Sequence, residues 1–152
     1  MRRKDREIKE KVEIEAILKE AMVCRIGLSD GNVPYIVPMN FGYRNNSIYL
    51  HSAKEGKKIN ILKNNNNICF EVDIRTKLKK SEVPCKWGMK FSSVIGFGKA
   101  IFLDQPTEKA IALNTIMEKY SNQSSFEYSD SVLSQVAVIK INITEMTGKK
   151  AE

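Results

Sequence analysis

Histidine is almost missing from this chain: His51 is the only one in 152 residues. With one histidine and no Cys-x-x-Cys pair, the sequence offers no spacing for a structural zinc site, and no metal is expected. The cysteines, Cys24, Cys69 and Cys85, are odd in number and show no paired spacing. That excludes a disulfide framework and predicts a reducing compartment, the cytoplasm. No apolar run is long enough to span a bilayer, so no membrane partner is expected. The N-terminus, Met1-Arg2-Arg3-Lys4-Asp5, has no apolar segment behind it and does not read as a secretory signal. Gly-x-Gly-x-x-Gly and Walker-type phosphate loops are missing, and no Ser-His-Asp or Cys-His constellation is evident.

What is present suits a single soluble domain over residues 1–152. Hydrophobic residues make up 42% of the chain, enough for a real core, and charged residues 28%. The formal net charge is +7. Basic residues thicken between Arg75 and Lys90, at Lys77, Lys79, Lys80 and Lys86. A solvated loop, or a loop beside an anionic ligand, explains this better than nucleic acid, because no zinc finger, basic zipper or ribonucleoprotein aromatic motif accompanies it.

Hydrophobic periodicity organises the rest. Residues 1–22 form an N-terminal helical segment, with Ile14, Ile17, Leu18 and Ala21 on one face. Val23–Leu28 is strand-like and Ser29-Asp30-Gly31-Asn32 is a tight turn. Tyr35–Tyr43 alternates, with Tyr35, Val37, Met39, Phe41 and Tyr43 on one face. After Arg44-Asn45-Asn46, Ser47–His51 returns, which predicts a meander of three strands. Pro38 inside the second strand places it at an edge or bulge, since proline cannot donate to a ladder. A helix over Gly56–Lys63 turns Ile59 and Leu62 inward. Strands follow at Ile68–Ile74 and Phe91–Leu103, the second bent or bulged around Gly96 and Gly98. Lys77–Lys86 reads as a polar loop between them. Pro106 opens a helix, Ser121–Ser131 is a polar loop, and Val136–Ile143 is a last strand with Ala137, Ile139, Ile141 and Ile143 on one face. Residues 144–152 are expected to be a flexible tail. About six strands and three helices, with hairpin connections, predict a mainly β fold, a small antiparallel barrel with peripheral helices.

The most informative stretch is Ser47–Leu62. A short strand runs into a helix whose start carries Gly56, Lys57 and Lys58. Helix N-termini present unpaired N–H groups with partial positive charge, lysines add full charges, and glycine lets a ligand approach the backbone. This pattern points to a phosphorylated small molecule. His51 precedes it by a few residues. It is either a passive strand-end histidine or, beside the ligand, a hydrogen-bond donor or catalytic acid near neutral pH.

Val37-Pro38-Met39-Asn40-Phe41, Ile48-Tyr49-Leu50-His51-Ser52-Ala53, Gly56-Lys57-Lys58 and Ser93-Val94-Ile95-Gly96-Phe97-Gly98-Lys99-Ala100, in that order, resemble the split-barrel flavoproteins. The branch they resemble is the nitroimidazole-resistance group related to pyridoxamine 5′-phosphate oxidase. The resemblance implies a six-stranded antiparallel split β-barrel of Greek-key type. It also implies a homodimer, with FMN, ahead of FAD or haem, at the subunit interface. It places Val37, Pro38, Met39 and Asn40 along the flavin ring, His51, Ser52 and Ala53 beside it, and Gly56, Lys57 and Lys58 at the phosphate. Ser93 would face the same site, with Lys90 near the phosphate. Trp87 would stack on the flavin from the other subunit, or plug the barrel end, or form a dimer contact. The implied activity is an FMN-dependent oxidoreductase acting on a small-molecule acceptor, with NAD(P)H as donor. The alternative is a flavin- or haem-binding module without turnover, with His51 as an axial ligand. Two departures stand out. Ser92 occupies a place where family members often carry a basic residue, and the oxidase's C-terminal substrate-binding segment has no equivalent.

Overall fold

The computed structural model describes residues 2–121, 123 and 125–152. Its elements follow the changes of period in the sequence. In chain order they are β1 (Glu7–Ile8), α1 (Lys11–Glu20), β2 (Cys24–Asp30), β3 (Val33–Met39), β4 (Gly42–Arg44), β5 (Ser47–Ala53), α2 (Lys57–Asn64), β6 (Asn67–Lys79), β7 (Gly88–Leu103), α3 (Pro106–Tyr120), α4 (Asp130–Gln135) and β8 (Val136–Ala151). Single 3-10 turns lie at Lys4–Arg6 and Pro84–Lys86. All strand pairs are antiparallel, in the order β3-β2-β6-β7-β8-β5-β4, with β1 added on β8. The fold class is the expected one, a mainly β split barrel with peripheral helices.

The expected three-strand meander does not form. Two local hairpins do, β2–β3 and β4–β5. Asn45 and Asn46 both take positive φ, 50° and 57°, as a tight two-residue hairpin turn requires. But β3 and β4, adjacent in sequence, lie at opposite ends of the strand order. The chain crosses between them at Asn40 and Phe41. Alternation hid the break, because Phe41 and Tyr43 continue the apolar parity of Tyr35, Val37 and Met39. Phe41 itself is fully buried.

Four further expectations are corrected. There are eight strands among the described residues rather than six, because the Tyr35–Tyr43 run splits and two N-terminal residues pair with β8. Lys77–Lys79 are paired rather than looped: past an irregularity at Arg75 (φ 56°), they pair with Lys90, Met89 and Gly88. Residues 144–152 are not a loose tail. They pair from Phe97↔Glu145 to Phe91↔Ala151, and β1 adds on the other side. A long paired strand satisfies backbone groups on both edges, which a polar composition does not prevent. The Ser121–Ser131 loop gives way to α4 at Asp130, capped by Ser129, whose Oγ accepts from Val132 N. Residues 122 and 124 of that loop lie outside the described residues.

The main core joins Leu18, Phe41, Ile48, Leu50, Ile59, Phe70, Val72 and Val94 to Ile139 and Ile141. Ala137 and Ile143 face the same core, as alternation predicts. The opposite face of β8 contributes Val138 to a second cluster with Ala112, Leu113, Ile116 and Leu133, beneath α3 and α4. The bulge expected in β7 near Gly96 and Gly98 lies instead on its partner strand: Phe97 faces Glu145 and Gly98 faces Ile143, so the extra residue is Thr144 of β8, whose Oγ1 donates to Phe97 O, while β7 runs unbroken against β6 there.

α3 clamps the crossing. Arg44 pairs with Glu118, and Gly42 lies against the α3 backbone. A Cβ added at Gly42 would stand 2.6 Å from Thr115 O. Gly42→Ala should therefore destabilise the fold by about 1–3 kcal/mol, the usual cost of overpacking, read as a lower urea midpoint. An unchanged midpoint would show that α3 can move away freely.

Candidate functional site

β3 is an edge strand, paired only with β2. Pro34 and Pro38 share one parity along it, so both turn their missing N–H groups outward. The free edge then offers carbonyl oxygens and the N–H of Ile36, a mixed hydrogen-bonding rim. Val37 and Met39 pack toward the main core, while Pro38 and Asn40 are exposed on the other face.

The structure brings this strand to the start of α2. Lys57 Nζ lies 4.9 Å from the ring centroid of Tyr35 on β3. Gly56, the N-cap residue, takes φ 116°, where any side chain is strained. No side chain caps this helix, and no acid occupies its first turn. Lys58 is half-buried, and burial lowers its pKa. Neither Lys57 nor Lys58 forms an ion pair among the described residues.

β5 divides the residues expected beside the ligand. Ser52 pairs with Ala137 and shares the core-facing side with Leu50, and its Oγ donates to Ala53 O at 2.9 Å. His51 pairs with Val138 on the opposite face and is exposed there, as is Ala53. Strand alternation therefore keeps the side chains of His51 and Ser52 from lining one wall together.

Within one chain, Ser93, Lys90 and Trp87 are not brought to α2. Ser93 sits on β7, separated from β3 by β2 and β6. That is three strand spacings, about 14 Å. Lys90 is exposed, opposite Lys77 near the loop end of the β6–β7 hairpin. Trp87 is 48% exposed, and its Nε1 donates to Ser81 O in its own loop. It does not plug the barrel.

Sequence reasoning missed Lys119 and Tyr120, at the end of α3, which fix the crossing where β3 ends. Tyr120 Oη accepts from Phe41 N at 3.0 Å and donates to Met22 O at 2.8 Å. Lys119 Nζ donates to Leu18 O and Ala21 O at 2.7 and 2.8 Å, at the C-terminus of α1, and stands over the Phe41 ring. Basic residues suit a helix C-terminus, but nothing in a local pattern links Lys119 to Leu18.

Burial holds the Lys119 ammonium down to about 8, below its ordinary 10.5. Between those values the unfolded chain keeps a proton that the folded chain has released. Stability from this group therefore rises with pH across the window. Cys24 acts oppositely, its thiol pushed up to about 12 by burial. The check is a urea series against Lys119→Met, which retains Cys24. Wild type should gain stability relative to the variant from pH 8 to 10.5, and a constant difference would contradict the assignment.

The comparisons with known proteins agree with this fold. Residues 10–150 match the family described as pyridoxamine 5′-phosphate oxidase. A candidate 5-nitroimidazole antibiotic resistance protein from Bacteroides thetaiotaomicron is 40% identical, with a TM-score of 0.85 over 94% of this chain and 85% of that one. The flavocytochrome Anf3 from Azotobacter vinelandii shares the fold at 19% identity, with a TM-score of 0.88 over 100% of this chain and 72% of its own. A FAD- and haem-binding protein from Mycobacterium smegmatis does so at 12% identity and 0.88, over 97% and 74%. No curated protein matches the chain. The match over residues 10–150, with the split-barrel sheet beneath it, means that the chain belongs to the pyridoxamine 5′-phosphate oxidase family.

Proposed function

We propose that the protein binds FMN between two copies of the chain. It would act as an oxidoreductase of the nitroimidazole-reductase type on a small-molecule acceptor, with NAD(P)H as donor. The 40% identity to the Bacteroides protein supports this choice within the family.

One observation carries the proposal. The first turns of α1, α3 and α4 each hold an acid, Glu13, Glu108 and Asp130. The first turn of α2 holds none and has two lysines instead. Cations at a helix N-terminus are unfavourable, by about 0.3–1 kcal/mol each. A phosphate there reverses the sign, accepting from the free N–H groups and pairing with Lys57 and Lys58. The residues present thus fit a phosphorylated cofactor. The rim of β3 could meet the polar edge of its ring system. Bound FMN would supply the electron transfer, and the chain would supply anchoring and orientation.

A second copy would complete the site. Pro38, Asn40, His51, Gly56, Lys57, Trp87 and Lys90 are all exposed in one chain, too open to enclose a ring. Beside them an apolar row crosses the outer face, Ile36–Gly27–Cys69–Phe97, in register through β3, β2, β6 and β7. Ile36 is 67% exposed, Phe97 48% and Ile95 46%, which suits a dimer contact. Such a contact could bring the partner's β6–β7 hairpin to this α2. A reducing cytoplasm would keep the three cysteines as thiols.

Purified protein should be yellow or take up FMN, with the released cofactor identified by chromatography. Lys57→Ala with Lys58→Ala should weaken FMN binding at least tenfold with the fold intact by circular dichroism. Unchanged affinity would remove the phosphate assignment. Phe97→Glu should shift the protein from dimer to monomer in sedimentation, and a variant that stays dimeric would exclude this face as the interface.

A further inference from the structure

We propose that a second ligand site, for a small carboxylate with an apolar body, lies on the far side of α2 from its lysine-bearing start. A cleft of about 420 Å³ opens between α2, the end of β7 and the start of β8. That volume is in the range of small-molecule sites. Ile59 and Lys63 line it from α2. At 100° per residue they lie about 200° and 240° around the helix from Lys57, so the cleft faces away from the contact with Tyr35. It is therefore set apart from the proposed phosphate-binding start of α2, although its β8 wall pairs with His51 and Ala53.

Its chemistry is specific. Phe102 and Val138 give it an apolar lining, and three lysines, Lys54, Lys63 and Lys109, line it against a single carboxylate, Asp104. Lys109 is the informative residue. It is only 8% exposed, yet it forms no ion pair among the described residues. Nζ donates to Leu133 O at 2.8 Å and to Val136 O at 3.0 Å. An ammonium has three donors, so one remains, on a residue that lines the cleft. The two carbonyls offer partial charge only, and a buried cation is best matched by a full negative charge. A carboxylate on Lys109, with its carbon body on Phe102 and Val138, satisfies both halves of the cleft. A hydrated inorganic anion would leave the apolar lining unused. Lys54 and Lys63 are exposed and would draw the anion in.

The site does not depend on FMN, and its test is separate. Benzoate and octanoate are titrated into the full chain and followed by amide shifts in NMR. Saturable binding is expected, with benzyl alcohol, the uncharged analogue, at least tenfold weaker than benzoate. Lys54→Glu with Lys63→Glu should weaken benzoate at least fivefold. These exposed positions are used because Lys109→Met strips two buried carbonyls of their donor and can unfold the chain. Lys57→Ala with Lys58→Ala should leave benzoate affinity within twofold. No binding at millimolar carboxylate, equal binding of benzyl alcohol, or indifference to the Lys54 and Lys63 changes would each overturn the proposal. So would a loss on changing Lys57 and Lys58.

Discussion

The pairing of β7 with β8 is the constraint on which the rest of this structure depends. It runs from Phe91↔Ala151 to Leu103↔Val138 and places the last strand inside the sheet, beside the central strand β7. β6 then adds on one side, β5 on the other, and even β1 finds its partner on β8. Two glycines allow the approach. A Cβ at Gly98 would stand 2.5 Å from Asn142 O, and one at Gly96 2.8 Å from Glu145 O. Because β8 is buried on both faces near its start, it supplies both hydrophobic clusters. The barrel and the α3–α4 layer share one strand.

That arrangement explains why the candidate functional surfaces lie at margins. β3 is left as an edge, with two prolines that protect it from pairing with another strand while leaving its carbonyl groups available. α2 closes the barrel beside that edge, with Ile59 and Leu62 in the core and its charged start outside. The same helix separates two basic regions of different character. One is open and suited to a phosphate, and the other is a cleft with an apolar lining around Lys109. α3 holds the geometry from behind, through Tyr120 and Lys119 at the crossing between β3 and β4.

Much of this was legible in the sequence, for identifiable reasons. The glycine and lysines at the start of α2, the edge proline in β3 and the glycines of β7 beside the bulge in β8 are local signals, and each lies where its local physics requires. Apolar parity in β8 picked out the core face correctly. Parity failed at Phe41, where a chain crossing kept the same alternation, and composition failed at residues 144–152, where a polar strand is paired with β7 to Ala151 and with β1 at Gly148 and Lys149. His51 shows the intermediate case. Its place at the end of β5 was readable, but its side chain lies on the opposite face from Ser52.

The sequence by itself determined most of the elements, their inward faces and the basic start of α2, because periodicity and charge at a helix end act over a few residues. Only the tertiary structure decided which strands are neighbours. Period-two alternation specifies a face but not a partner, so it could not separate β3 from β4 or place Ser93 three strands from Pro38. Nor could it bring Lys109 beneath α4, or Tyr120 under Phe41 N–H. Those contacts join residues 24 to 79 positions apart. They form only when burial of the whole core selects one arrangement of strands.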